Sequence, residues 1–227
     1  MLKKLFCVNI LSVKSQVMKF APIVLTLIFI SLVNAQSSPF NPCLLKLSDA
    51  PTLRGLKLGM SPTEAEKIIG TKIVFKNYKR KFKYSGEDEV EVDVGIKRFD
   101  FPSKATKVIP SQLKGINLVT LIFFENSLYQ IFVQYEKQEA EWKNSKEFTE
   151  FLSDRFNLPK ESWFDTTYLS CGGFGLSAQV IEDGKARILL TDKETDNLVE
   201  TKLKRAVESE RLRRKNLEME KEKGFKP

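Results

Sequence analysis

Apolar residues recur at helical spacing in two short segments of the chain, and each segment carries a helix start signal. Ser61 is a suitable N-cap residue, Glu64 completes a capping box with it, and Gly70 is a typical helix end. Asn144 and Glu147 stand at the same three-residue spacing before the second segment. The apolar residues of this second segment are Phe148, Phe151, Leu152 and Phe156. The pattern therefore predicts two amphipathic helices, beginning near residues 62 and 145.

Alternating or continuous apolar runs predict strands between and after these helices. The runs cover residues 72–84, 89–101, 116–124, 128–135, 163–181 and 185–191. The third run is apolar on both faces, as in a central strand, and an Asp-Gly turn before the last run predicts a hairpin. Phe99 and Phe101 are out of phase with the apolar residues before them, which predicts a bulge near Lys97 and Arg98.

The order of these elements is a helix followed by strands, twice over. We interpret it as two diverged helix-plus-strands units, roughly 53–135 and 144–191, whose sequences barely resemble each other. An antiparallel sheet with two helices packed on one face would bury the apolar sides of all these elements. The predicted fold class is therefore α+β, with a charged C-terminal helix after the sheet.

The last segment, residues 192–227, has 11 basic and 9 acidic side chains and few apolar ones. A short apolar stripe runs from Leu198 to Val207 and then stops. The pattern predicts a charged helix that leaves the domain as a solvated tail and frays towards Gly224. A helix that binds a partner is the alternative.

Residues 18–35 have the three parts of a secretory leader. Met18 opens a charged start, residues 20–33 are almost wholly apolar, and small residues precede a cleavage site at Ala35. We therefore expect the mature protein to begin at Gln36 and to be secreted or periplasmic. The alternative is an uncleaved membrane anchor formed by residues 20–33.

This leader sets the predicted domain organisation. The chain divides into a leader or signal peptide (1–35), an exported α+β domain (36–191) and a charged helical tail (192–227). The true start of the chain is either Met1 or Met18, and both lie before the cleavage site.

Charge and composition exclude several functions. The formal net charge is +8, but four lysines of the leader account for half of it, which leaves +4 for the mature chain. This modest excess does not favour nucleic acid as a partner. The chain has no histidine, which excludes Ser-His-Asp and Cys-His catalysis. No pattern of catalytic residues, metal ligands or cofactor-binding residues stands out, so none of these is predicted.

The mature chain has two cysteines, Cys43 and Cys171. In an oxidising compartment such a pair predicts a disulfide, whereas two free thiols are the alternative. The glycine-rich segment 171–175 could suggest a nucleophile on a strained turn, but no histidine is present to activate the thiol. A bulged strand that carries half of the disulfide fits the segment better.

One cluster of basic and aromatic residues could form a binding surface. It contains Lys76, Tyr78, Lys79, Arg80, Lys81, Phe82 and Lys83. Interleaved charges and rings can bind a polyanion. An acidic segment follows at 87–93, so the alternative is that two strands of opposite charge pair with each other. Trp142 and Trp163 flank the second helix, and either core packing or a binding face would explain them.

Part of the sequence resembles a group of small exported bacterial domains. The segment 56–65, which reads Leu-Lys-Leu-Gly-Met-Ser-Pro-Thr-Glu-Ala, and the later Ile69-Gly70 are similar to the opening of outer-membrane assembly lipoproteins of the SmpA/OmlA type. The repeated order of helix and hairpins also resembles the β-lactamase-inhibitor-protein architecture. The resemblance implies binding of other proteins without catalysis. This chain departs from the pattern in lacking a lipidated cysteine and in carrying the charged C-terminal helix.

These observations together predict an exported, non-enzymatic binding protein of the cell envelope. The expected partner is another envelope protein, with no nucleic acid and with membrane contact only through an uncleaved leader. The alternatives are a membrane-anchored protein with an uncleaved N-terminal segment, and a hydrolase that uses carboxylates only.

Overall fold

The structure is a computed structural model, and it describes residues 42–82, 89–102, 111–136, 142–181 and 184–224. Its helices are α1 (Pro62–Ile69), α2 (Ser145–Phe156) and α3 (Lys193–Gly224). Its strands are β1 (Lys76–Asn77), β2 (Arg80–Phe82), β3 (Val90–Val92), β4 (Ile96–Pro102), β5 (Ile116–Phe124), β6 (Ser127–Tyr135), β7 (Trp163–Phe164), β8 (Tyr168–Ser170), β9 (Phe174–Val180) and β10 (Ala186–Asp192). The leader, its cleavage site and the alternative anchor lie outside these residues. Within them, no helix is both long and apolar enough to cross a bilayer.

Eight strands form one antiparallel sheet, and β2 and β3 form a separate hairpin. The strand order in the large sheet is β1-β4-β5-β6-β10-β9-β8-β7. Within the large sheet, the strands of each predicted unit are therefore neighbours in chain order. The last strand of each unit lies at the centre of the sheet, where β6 pairs with β10. The predicted α+β class, with an antiparallel sheet and a C-terminal helix, is confirmed.

Local signals set the starts of the first two helices as predicted. The Ser61 hydroxyl accepts the Glu64 backbone N–H, and the Glu64 carboxylate accepts the Ser61 N–H at 2.8 Å, which completes the capping box. The Asn144 side chain caps α2 by accepting the Glu147 N–H at 3.0 Å. Helix α2 ends at Asn157, which adopts the left-handed conformation at φ 52°.

Both short helices pack on the same face of the sheet. Ala65 and Ile69 of α1 and Phe148 and Leu152 of α2 belong to one buried cluster with the inward side chains of β4, β5, β6, β8, β9 and β10. We call this cluster the first core. The first core is large because every central strand contributes residues to this face of the sheet.

A second core lies on the opposite face. Val199, Leu203 and Val207 of α3 are 0–2% exposed and pack with the hairpin β2–β3 and with the reverse side of the sheet. Asp192 starts this helix by accepting the backbone N–H groups of Glu194 and Thr195. The boundary predicted at residue 191 is therefore too early, because the apolar stripe of α3 is part of the fold as far as Val207.

The bulge predicted near Lys97 and Arg98 is absent, and the second core explains why. Strand β4 pairs with β5 without a register shift, from Ile96 opposite Phe124 to Pro102 opposite Leu118. Ile96 points into the second core, and Phe99 and Phe101 point into the first. The change of phase in the sequence marks a strand that is buried on both faces, not an inserted residue.

The predicted disulfide between Cys43 and Cys171 is present, with their Cα atoms 4.4 Å apart. It fixes the segment before α1 to the turn between β8 and β9. The Gly173 N–H donates to the Leu45 carbonyl at 3.1 Å, so the two backbones are in direct contact. A side chain at Gly173 would meet the Leu47 backbone nitrogen at 2.1 Å. This close contact of two backbones explains why position 173 is a glycine.

Gly173→Ala is expected to lower the free energy of unfolding by about 3 kcal/mol or more, because a methyl group must displace backbone atoms. Gly172→Ala is the matched control, since the nearest atom to its added Cβ, the Leu45 carbonyl oxygen, is 3.3 Å away. Urea-induced unfolding of both variants measures the difference. Equal stabilities for the two variants would contradict the contact described here.

Candidate functional site

An open pocket lies at one end of the first core, between a turn at residues 52–55, the end of β6 and helix α2. Its volume is about 520 Å³. It is lined by Thr52, Leu53, Arg54, Gly55, Tyr135, Trp142, Phe148, Phe151, Leu152, Arg155 and Phe156. We call it the aromatic pocket, because five of these side chains carry rings.

The rings of the aromatic pocket are in contact with one another. Trp142 lies 4.5 Å from Phe148 and 5.1 Å from Phe151 between ring centroids. Tyr135 lies 6.4 Å from both Trp142 and Phe148 in edge-on geometry. Phe148 is buried, but Phe151 is 43% exposed. The buried ring of Phe148 therefore supports the ring of Trp142, which in turn supports Phe151. The ring of Phe151 presents an apolar surface to solvent.

A tight turn places the first of two arginines at this pocket. Leu53 and Leu56 exchange both backbone hydrogen bonds at 2.9 Å. The two residues between them, Arg54 at φ 55° and Gly55 at φ 89°, have the positive φ values of a type I′ turn. The Arg54 guanidinium carbon consequently lies 5.6 Å from the centre of the Tyr135 ring, as a cation–π contact.

The second arginine, Arg155, comes from the last turn of α2, four residues after Phe151. The side chains that line the pocket, as far as the structure describes it, include these two cations and no carboxylate. Burial raises the pKa of the Tyr135 hydroxyl, and the charge and hydrogen bonding of Arg54 offset part of this effect. The tyrosine is therefore neutral at pH 7, and the pocket has a positive rim around an apolar interior.

The predicted basic-aromatic surface lies elsewhere, and much of it is used inside the fold. Lys79 pairs with Glu91 at 3.0 Å, and Lys81 pairs with Glu89 at 2.7 Å across the hairpin β2–β3. This confirms the alternative in which strands of opposite charge pair. Tyr78 and Phe82 pack against the second core, and Arg80 forms an ion pair with Glu200 of α3. Lys76 is exposed on edge strand β1, and Lys83 lies outside the described residues.

A polar group is buried beneath α3. The Tyr129 hydroxyl has no hydrogen-bond partner among the described residues, and its side chain is fully buried. Next to it on β6, the Gln130 amide donates to the Asp196 carboxylate of α3 at 3.0 Å. Burial raises the pKa of Asp196 and raises the pKa of Tyr129 to about 12. The arrangement holds the helix to the sheet.

Tyr129→Phe is expected to leave the free energy of unfolding at pH 7 equal or higher, because it removes a buried hydroxyl without a partner. In the unaltered protein the unfolded state releases the phenolic proton near pH 10, whereas the folded state holds it until about pH 12. Stability must therefore fall as the pH rises between these values. Urea titrations at several pH values should show a smaller fall in the variant. Parallel curves would contradict this account.

No group of three or more acidic, histidine or cysteine side chains that could hold a metal ion occurs in the described ranges. Cys43 and Cys171 are joined to each other.

The two tryptophans noted in the sequence have different roles. The Trp163 indole donates to the Ser153 hydroxyl at 2.8 Å as a packing contact, whereas Trp142 lines the aromatic pocket.

The sequence alone gave no indication of Arg54, Tyr135 and Arg155 as site residues, because each belongs to a different element. The one available signal was Phe151. It widens the apolar arc of α2 beyond the stripe formed by Phe148 and Leu152, which are buried. An apolar residue beside the buried stripe of a helix indicates a second contact.

Comparison of the chain with protein-family models, with curated proteins and with solved structures found no match.

Proposed function

We propose that this chain is an exported, non-enzymatic binding protein that contacts another protein of the cell envelope, and that the aromatic pocket is the contact site. The observation that carries the proposal is the combination of five aromatic rings, of which Phe151 is exposed, and two arginines at one cavity. Tryptophan, tyrosine and arginine are the residues that contribute most to protein–protein affinity, and they do so in pockets of this kind.

Export is supported by the disulfide, because such bonds persist in oxidising compartments. The leader at residues 1–35 supplies the route in this proposal, with cleavage between Ala35 and Gln36. The resemblance to exported domains of the SmpA/OmlA type agrees with this location and with a binding role.

Binding accounts for the pocket better than carboxylate catalysis does. A hydrolase that uses carboxylates only needs two acidic side chains facing its substrate. The described residues that line the aromatic pocket supply arginines and rings instead. An apolar surface with cations at fixed positions suits a ligand whose own shape and charge are complementary to it.

Site-specific photo-crosslinking in the cells that make the protein tests the proposal. The photo-reactive amino acid p-benzoylphenylalanine replaces Phe151 in the full chain, and the matched control carries it at Phe164, which is 65% exposed on β7 and outside the pocket. We expect a crosslinked envelope protein from the first position alone. Equal crosslinking from both positions, or none from the position of Phe151, would contradict the proposal.

A further inference from the structure

The aromatic pocket carries a charge that the rest of the fold does not balance. Four arginines elsewhere pair with carboxylates of the chain: Arg80, Arg98, Arg213 and Arg214. Arg54 and Arg155 form no ion pair with another described residue, and both are exposed at the mouth of the cavity. A guanidinium beside an apolar surface favours a carboxylate partner, because the pair gains strength where water is excluded.

The two arginines are held by independent parts of the fold. The turn at 53–56 fixes Arg54, and the last helical turn of α2 carries Arg155. Between them lie the exposed ring of Phe151 and the half-buried ring of Trp142. A ligand that fills the pocket must therefore place an apolar group against the rings and an anionic group at the rim.

We infer that the pocket receives a protein segment in which an aromatic or large aliphatic residue is flanked by Asp or Glu. This inference rests on the proposed function and names the chemistry of its partner. The open rim favours a side chain presented by another protein over a free acyl chain, since a long chain would need an enclosed cavity to bury its length. The positive rim supplies the charge complementarity and excludes segments that carry Lys at the same places.

Fluorescence anisotropy with labelled ten-residue peptides tests the inference on the mature chain. The peptides are Gly/Ser sequences with Glu-Phe-Glu, Gln-Phe-Gln, Lys-Phe-Lys or Glu-Ala-Glu at the centre, and free phenylacetate is included as a competitor. We expect the Glu-Phe-Glu peptide to bind about tenfold more tightly than its Gln counterpart at low salt, and the Lys and Ala peptides not to bind. This comparison uses the unaltered protein, so it does not depend on the folding of any variant.

Three charge variants locate the effect. Arg54→Gln and Arg155→Gln should each weaken binding of the Glu-Phe-Glu peptide about fivefold and leave the Gln-Phe-Gln peptide unaffected. The control Arg205→Gln removes the same charge from an exposed position of α3, where the helix covers the other face of the sheet, and should change nothing.

The outcomes separate this inference from the proposed function. Equal affinity for the Glu and Gln peptides, no binding of any peptide, or an equal loss in all three variants overturns the acidic-segment inference. So does an affinity for phenylacetate equal to that for the Glu-Phe-Glu peptide, because the protein segment around the ring would then contribute nothing to binding. Crosslinking at the position of Phe151 stands apart from these results, since it reports a protein contact whatever its charge.

Discussion

Deletion of residues 193–227 is expected to abolish the cooperative fold, whereas deletion of residues 208–227 should leave the unfolding midpoint nearly unchanged. The longer deletion removes Val199, Leu203 and Val207, which are 0–2% exposed. Each such side chain contributes about 1.5–3 kcal/mol by burial. Their sum is comparable with the whole stability of a domain, which is about 5–15 kcal/mol.

The shorter deletion removes side chains that are exposed or half-buried as far as the structure describes them. In the described part of α3 beyond Val207, the Arg214 guanidinium donates to the Glu89 carbonyl at 3.4 Å. Glu210 pairs with Arg213 and Arg214 within the helix itself. Circular dichroism during heating compares both truncated chains with Leu203→Ala, which should lose about 2–5 kcal/mol. A shorter deletion that melts like the longer one would show that the distal half of α3 also packs on the domain.

Removal of the disulfide is expected to lower the free energy of unfolding by about 5 kcal/mol in the chain-entropy account, because the bond closes a loop of 128 residues. The double variant Cys43→Ala/Cys171→Ala shows the loss directly. The unaltered protein should match it after reduction in urea, and a reductant should have no further effect on the variant.

Reduction of the folded protein should be slow, because Cys43 is 5% and Cys171 is 1% exposed. Reagents reach the bond only when the structure opens locally. Non-reducing peptide mapping provides the direct check. Two thiols that are alkylated in the folded, unreduced protein would contradict the bond.

The parts of the fold that the sequence predicted depend on local signals. The capping box at Ser61 and the side-chain cap at Asn144 each involve residues within four positions of each other, so a single window contains the whole interaction. The large antiparallel sheet followed from strands of adequate length joined by short turns. The disulfide followed from the presence of two cysteines after residue 35.

The second core was not predicted, because its parts are distant in the sequence. The valines of β3, Ile96 of β4 and Leu203 of α3 meet only after the hairpin β2–β3 folds over the sheet. The short apolar stripe of α3 is visible in the sequence, but the many charges around it favoured a solvated tail. A strand that is buried on one face alternates regularly between apolar and polar residues. The burial of β4 on both faces breaks this alternation, and the break predicts a bulge.

The aromatic pocket was beyond sequence reasoning for the same physical reason. Tyr135 and Trp142 are near neighbours along the chain, but Arg54 precedes them by about 80 positions. Only the closure of the sheet brings the turn at 53–56 to the end of β6. The sequence suggested instead the basic cluster at 76–83, whose charges are concentrated in one window and are largely neutralised within the fold.

The pairing of β6 with β10 has a consequence for synthesis. These strands form the middle of the sheet, yet residue 135 ends one and residue 186 begins the other. A chain that emerges from its N terminus therefore carries an open strand edge on β6 until the last strand has followed. Such an edge invites pairing with other chains. A chaperone that shields β6 during this interval would prevent aggregation before the sheet closes.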